Sequence, residues 1–256
     1  MFLAIDIGNT NISLGILKKY TLIKTSKFRC IKNIKKEFFI KDFKNFIQNI
    51  NITDCAISSV VDEVTNIISE SIETVCNIKP LIINNSMNFN LKIKAQHPEK
   101  IGTDRITNAC AAKKLYSSKP AIVVDIGTAT TFDILDKNGD FIGGLIIPGI
   151  NTQLKSLADN TSKLPDIEIQ EINYLTKTIN TDTKKAILSG IVKGHAHAIE
   201  GLIEDCKKEL NGKPIVIATG GNAKLISKYV KKDIFDEINP NLTLEGLYII
   251  NEFNKE

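Results

Sequence analysis

Residues 2–16 read FLAIDIGNTNISLGI, and residues 121–135 read AIVVDIGTATTFDIL. Each stretch is an apolar run, then Asp-Ile-Gly, then a short polar turn, then a second apolar run. Asp6 aligns with Asp125, Gly8 with Gly127 and Asn9 with Thr128. Apolar runs broken by a Gly-containing turn predict paired strands. The offset is about half the chain, which predicts two lobes of similar topology rather than a solenoid of short repeats.

The rest of the chain reads outward from these two stretches. In the first lobe, strands are expected over 2–7 and 12–17, helical periodicity over 35–50, and a buried strand over 55–60. An amphipathic helix over 62–77, a strand over 81–83, a polar loop over 84–100 and a helix over 103–116 follow. Ser117, Ser118 and Pro120 punctuate the chain and place the lobes at 1–117 and 118–256. The second lobe is expected to run through strands over 121–126, 130–136 and 141–147, with Asn138-Gly139 as a turn. A helix near 150–158, a polar loop over 160–182 and a long helix over 183–211 come next. Gly190, Gly194 and Gly201 on the long helix would let another backbone approach closely. A strand over 214–219 and two short helices finish the chain. Strands alternating with helices make an α/β protein with a mixed sheet in each lobe.

Composition narrows the class. A chain of 256 residues with 43% hydrophobic residues can build a sizeable core, which excludes disorder and low complexity. The net charge of +4 is spread over the chain and implies no nucleic-acid partner. No apolar run approaches the roughly 18 to 20 residues of a membrane span. Met1 to Asp6 reads as a strand rather than a signal peptide, so a cytoplasmic location is expected. The five cysteines are widely spaced and contain no CxxC pair, which predicts reduced thiols rather than disulfides or a zinc site. Only two of the 33 basic residues are arginines, Arg29 and Arg105. An Arg kept in so Lys-rich a chain points to a need for a planar, bidentate guanidinium.

Four motifs carry chemistry. In Asp6-Ile7-Gly8-Asn9-Thr10, followed by Ser13, a turn between strands can aim N–H groups and hydroxyls at a phosphate, and Asp6 can hold a hydrated magnesium ion. A plain hairpin with an Asx-type turn would read the same way. Asp125-Ile126-Gly127-Thr128-Ala129-Thr130-Thr131 repeats the motif with more hydroxyls, and the pair would face each other across a cleft and clamp a triphosphate. No P-loop and no strand–GxGxxG–helix unit is present. Thr219-Gly220-Gly221-Asn222 is either a tight strand-to-helix turn or a flat seat for an adenine ring. In Gly102-Thr103-Asp104-Arg105, Asp104 is either a helix cap or the acceptor of a substrate hydroxyl proton, with Arg105 pairing a substrate carboxylate. His195 and His197 lie two apart on a helix, the wrong spacing for a shared metal, and read as packing or surface residues.

In order, DIGNTNISLGI, HPEKIGTDR with NACAA, DIGTATTFD, GGLIIPG, TGGN and NLTLEGLYII resemble type III pantothenate kinases, within the acetate kinase, sugar kinase, Hsp70 and actin superfamily. The resemblance covers nearly the whole chain. It implies two pseudo-symmetric lobes of ribonuclease H-like, actin-like ATPase topology, and transfer of phosphate from ATP to pantothenate, the first step toward coenzyme A. It implies magnesium, a potassium or ammonium ion, and a homodimer with the active site near the subunit interface. By position, Asp6, Ile7, Gly8, Asn9, Thr10, Asn11, Ile12 and Ser13 would hold ATP. Thr128 would be a second phosphate contact, Gly220 and Gly221 the adenosine turn, and Asp125 the potassium ligand. Gly102, Thr103, Asp104 and Arg105 would bind pantothenate, with Asp104 as proton acceptor and Thr183 reaching substrate from the neighbouring subunit. Two positions depart from the family pattern: Thr103 stands for the usual Ala, and Ala95 for the usual Tyr. The alternatives are a superfamily kinase for another small hydroxy acid, which would lack the G-x-D-R run, and a transcription accessory factor that binds without turnover.

Overall fold

The computed structural model describes residues 1–31, 34–116, 120–169, 177–210 and 212–255. The chain divides into two compact units, Met1–Ser117 with Asn241–Glu256, and Ser118–Pro240.

The first unit contains β1 (Phe2–Ile7), β2 (Asn11–Lys18), β3 (Thr21–Arg29), α1 (Lys36–Ile47), β4 (Asp54–Ser59), α2 (Asp62–Cys76), β5 (Leu81–Ile82) and α3 (Thr103–Leu115). Its sheet has the order β3-β2-β1-β4-β5, with β1/β2 and β2/β3 antiparallel and β1/β4 and β4/β5 parallel. β1 is buried on both faces, which is why its sequence is almost continuously apolar. Leu3, Ile5 and Ile7 meet Phe39 and Phe43 of α1 and Val64, Ile68 and Ile72 of α2. Phe2 and Ala4, on the opposite face, meet Ile106 and Cys110 of α3 and Leu247 and Ile250 of α7 (Leu242–Phe253).

The second unit contains β6 (Ala121–Ile126), β7 (Ala129–Leu135), β8 (Phe141–Pro148), α4 (Ile150–Asp159), α5 (Thr183–Glu209), β9 (Ile215–Thr219), α6 (Ala223–Ile226) and β10 (Glu237–Ile238). Its sheet order, β10-β9-β6-β7-β8, matches the first unit strand for strand and direction for direction. Val124 and Ile126 on β6 share a core with Leu154 of α4 and Val192, Ile199 and Ile203 of α5.

Two differences from the sequence reading stand out. The second lobe was expected to run to residue 256, yet Asn241–Glu256, including α7, belongs to the first unit. There, Leu244, Leu247 and Ile250 complete the core on the α3 side of the sheet. Strand β3 was not anticipated, although TLIKTSKFR alternates residue by residue in burial. The expected boundary at 117/118 and the middle of the expected loop over 160–182 lie outside the described residues.

Candidate active site

In the first unit, the site is built where β1 ends. Asp6 pairs in register with Ser13 on β2 and with Ser58 on β4. The turn is closed by the Gly8 N–H donating to Asn11 O at 2.9 Å, and Thr10 O accepts from Cys30 N at 2.9 Å. Asn9 and Thr10 are exposed at its tip. The parallel strand β4 follows β1 to this end, with Val60 N donating to Ile7 O at 3.1 Å.

Ser58 is fully buried, and its Oγ lies 3.1 Å from Thr103 Oγ1. Thr103 Oγ1 also donates to Ser59 O at 3.3 Å. The Thr103 hydroxyl therefore ties the first turn of α3 to the strand beside Asp6. Gly102 is the N-cap of α3. Asp104 is not the cap residue itself, but its Oδ1 accepts the first-turn amide of Arg105 at 2.9 Å, an N–H shared with Gly102 O at 3.1 Å. A Cβ on Gly102 would stand 2.4 Å from that same Oδ1. Gly102 therefore leaves room for the Asp104 carboxylate. Asn85 braces the turn ahead of the helix, its Nδ2 donating to Pro98 O at 3.0 Å and to Ile101 O at 3.1 Å. Sequence reasoning missed Ser58 and Asn85. The Ser-Ser pair ending a buried strand was a usable signal for the first; one Asn in a polar loop gave none for the second.

In the second unit, Asp125 lies at the end of β6, beside Thr219 of β9 in register. Gly220 follows with φ +88°, and a Cβ there would stand 2.3 Å from Asp125 Oδ1 and 2.7 Å from Ile126 N. The Thr-Gly-Gly turn thus presses directly on the Asp125 carboxylate, and the Asn222 N–H donates to Ile126 O at 3.0 Å. The Oγ1 of Thr219 is buried without a hydrogen-bond partner. Exposed Thr128 is held by its carbonyl, which accepts from Gly149 N at 3.0 Å and Thr152 Oγ1 at 2.6 Å. A Cβ on Gly149 would come within 2.2 Å of Gly127 O, so the Gly149 that ends GGLIIPG is needed for α4 to start against this loop. The two phosphate-type turns are not identical. Four residues, Gly8 to Asn11, separate the paired Ile7 and Ile12, whereas three, Gly127 to Ala129, separate Ile126 and Thr130. Thr131, rather than its neighbours, is therefore the register counterpart of Ser13.

Thr183 is the first residue of α5 and is exposed; Asp182 caps that helix through Lys185 N at 2.9 Å. Of the two histidines expected to pack or lie on the surface, His197 is on the surface and His195 is packed in the interior with both ring nitrogens engaged. All five cysteines are free, and burial pushes each thiol upward, which leaves none suited to nucleophilic attack near neutral pH. Among the described residues, no three His, Cys, Asp or Glu side chains gather as a metal cluster. Single carboxylates such as Asp6 and Asp125 suit ions whose remaining ligands are phosphate, water and backbone oxygens, which is how magnesium is usually held beside a nucleotide.

Paired sheets of this strand order, each carrying a Gly-containing turn after its first strand, define a two-unit α/β fold that serves more than one function. Solved structures share the fold. A ROK family glucokinase from Streptomyces griseus, in complex with glucose and AMPPNP, superposes with TM-score 0.54 at 12% identity, covering 96% of this chain and 97% of its own. A Campylobacter jejuni protein solved under the name of a Baf family transcriptional activator gives TM-score 0.58 at 22% identity, covering 98% of each. A family model described as type III pantothenate kinase matches residues 2–205. Type III pantothenate kinase from Listeria monocytogenes serotype 4a is 36% identical over 260 residues, spanning 100% of this chain and 98% of the relative. That of Listeria innocua serovar 6a is likewise 36% identical over 260 residues. The chain belongs to the type III pantothenate kinase family and is a kinase.

Proposed function

We propose that the protein transfers the γ-phosphoryl group of ATP to the primary hydroxyl of pantothenate, giving 4′-phosphopantothenate for coenzyme A synthesis. Family membership supports the reaction. The observation that carries the residue assignment is the Asp104 carboxylate, fixed on the first turn of α3, which Thr103 and Ser58 tie to the strand beside Asp6. Residues 6–13 and Thr128 hold the triphosphate, and Gly220 and Gly221 seat the adenosine. Arg105 pairs with the pantothenate carboxylate, with Gly102 and Thr103 shaping the same turn. Asp104 takes the hydroxyl proton late, because the transition state of phosphoryl transfer is loose.

Asp6 would hold a hydrated magnesium ion and Asp125 a potassium or ammonium ion, which would supply positive charge at the phosphates. No Lys lies inside either turn to do so. A homodimer belongs to the same reading, with Thr183 reaching the partner's substrate. It is supported by the exposed face of α5, where Cβ atoms on Gly190, Gly194 and Gly201 would meet nothing, and by Ile146 on edge strand β8, which is 61% exposed. The cytoplasm is the proposed location; among the described residues no helix is long and apolar enough to cross a membrane.

The test is Asp104→Asn in the full chain. We expect kcat to fall by about 100-fold or more, the usual worth of a general base, with KM for ATP within about twofold of the parent. Retained kcat removes Asp104 from the proton-acceptor role.

A further inference from the structure

His195 sits on α5 at 2% exposure, and the reaction as proposed does not use it. Its surroundings nonetheless settle its tautomer. Gln153 Nε2 donates to Pro148 O at 2.8 Å. A backbone carbonyl only accepts, so the amide nitrogen must lie on that side. The same Nε2 lies 2.9 Å from His195 Nδ1, which must then carry the lone pair. The ring proton is on Nε2, and it is donated to Thr130 Oγ1 at 2.9 Å. Burial lowers the imidazole pKa and so favours the same neutral ring.

Both ends of this chain of bonds lead to one turn. Thr130 is fully buried on β7, two residues after Thr128, and pairs with Ile126 on one side and Ile147 on the other. Gln153 is on α4, and the N–H of its N-cap Gly149 and the Oγ1 of its Thr152 hold the Thr128 carbonyl. His195 therefore joins the strand that leaves the second phosphate turn to the helix that braces it. An apolar residue of similar size would fill the space but leave Thr130 and Gln153 without their buried partner.

We propose that His195 is a positioning residue for the second phosphate turn. As the Nε2–H imidazole it links Thr130 to Gln153 and holds Thr128 in its ATP-binding geometry. The inference rests on the reading of Thr128 as an ATP contact.

The experiment is calorimetric titration of the intact protein with magnesium-ATP, which needs no turnover. The variants are Thr128→Val, His195→Leu, Thr130→Val and the His195→Leu/Thr130→Val pair, with His195→Gln as the conservative replacement, whose amide can still reach Thr130. Thermal melting identifies any variant that fails to fold. We expect Thr128→Val, His195→Leu and Thr130→Val each to raise Kd by about 5- to 10-fold, the worth of a hydrogen bond, and the pair to be no worse than either member. His195→Gln should recover part of the affinity. An unchanged Kd in folded His195→Leu, with Thr128→Val weakened, overturns the role of His195 alone. An unchanged Kd in Thr128→Val overturns the Thr128 assignment and this inference with it. Fully additive losses in the pair show separate effects and also overturn the linkage.

Discussion

Gly102 and Asp104 show how single residues divide the work. The Asp104 carboxylate occupies the volume that a Gly102 side chain would need, since the added Cβ would stand 2.4 Å from Oδ1. Given the proton-acceptor role proposed for Asp104, Gly102→Ala should displace the carboxylate from Arg105 N and lower kcat by about 10-fold or more, because misplacing such a group is costly even in an intact fold. Steady-state kinetics beside a melting curve would check this; an unchanged kcat would mean that the carboxylate acts from another position. Gly220 is different in kind. At φ +88°, against the Ile126 backbone, it cannot accept a side chain without a shift of the strand. Gly220→Ala should cost about 1–2 kcal/mol for the left-handed backbone alone, and more for the contact, which urea denaturation would register. The sequence made Asp104, Arg105 and the two Asp-Ile-Gly turns visible, because carboxylates, a rare Arg and glycines at strand ends are chemically conspicuous. Asn85 and His195 were not legible as participants, and Ser58 left only the trace of a Ser-Ser pair ending a buried strand. Their roles depend on which strand or helix lies opposite, and that is a property of the packed chain.

Strands and helices whose burial is periodic were largely readable. β1 and β6 are buried on both faces and read as apolar runs, and α2 and α5 were expected within a few residues of their ends. β3 escaped because it is an edge strand with only partly buried residues, and its lysines resemble a loop. α7 was seen as a helix but assigned to the wrong lobe, since an apolar helix does not declare which core it completes. Its Gly246 does so in the structure. An added Cβ would stand 2.4 Å from Thr107 O, which marks a close crossing of α7 over α3. Gly246→Ala would gain about 1 kcal/mol of helix propensity but force the two helices apart, at about 3 kcal/mol for overpacking against backbone. A net loss of about 2 kcal/mol by denaturant unfolding is expected; a gain in stability would contradict the crossing.

Across the molecule, the repeat of Asp-Ile-Gly at half-chain spacing corresponds to two sheets with the same strand order and the same directions. The one-residue shortening of the second turn shows that the likeness is topological and that the two turns are not interchangeable. Each unit contributes a different share of the proposed chemistry. The first carries Asp6 and the substrate helix α3, and the second carries Asp125, Thr128 and the Thr-Gly-Gly turn. The central claim is that these shares add up to a pantothenate kinase that uses a monovalent cation. The most direct measurement is ADP release from magnesium-ATP by the purified protein, with and without pantothenate, in potassium and in sodium. The account predicts ADP release only when pantothenate and potassium are both present. ADP release that is indifferent to pantothenate, or none from a folded protein in any of these conditions, would contradict it.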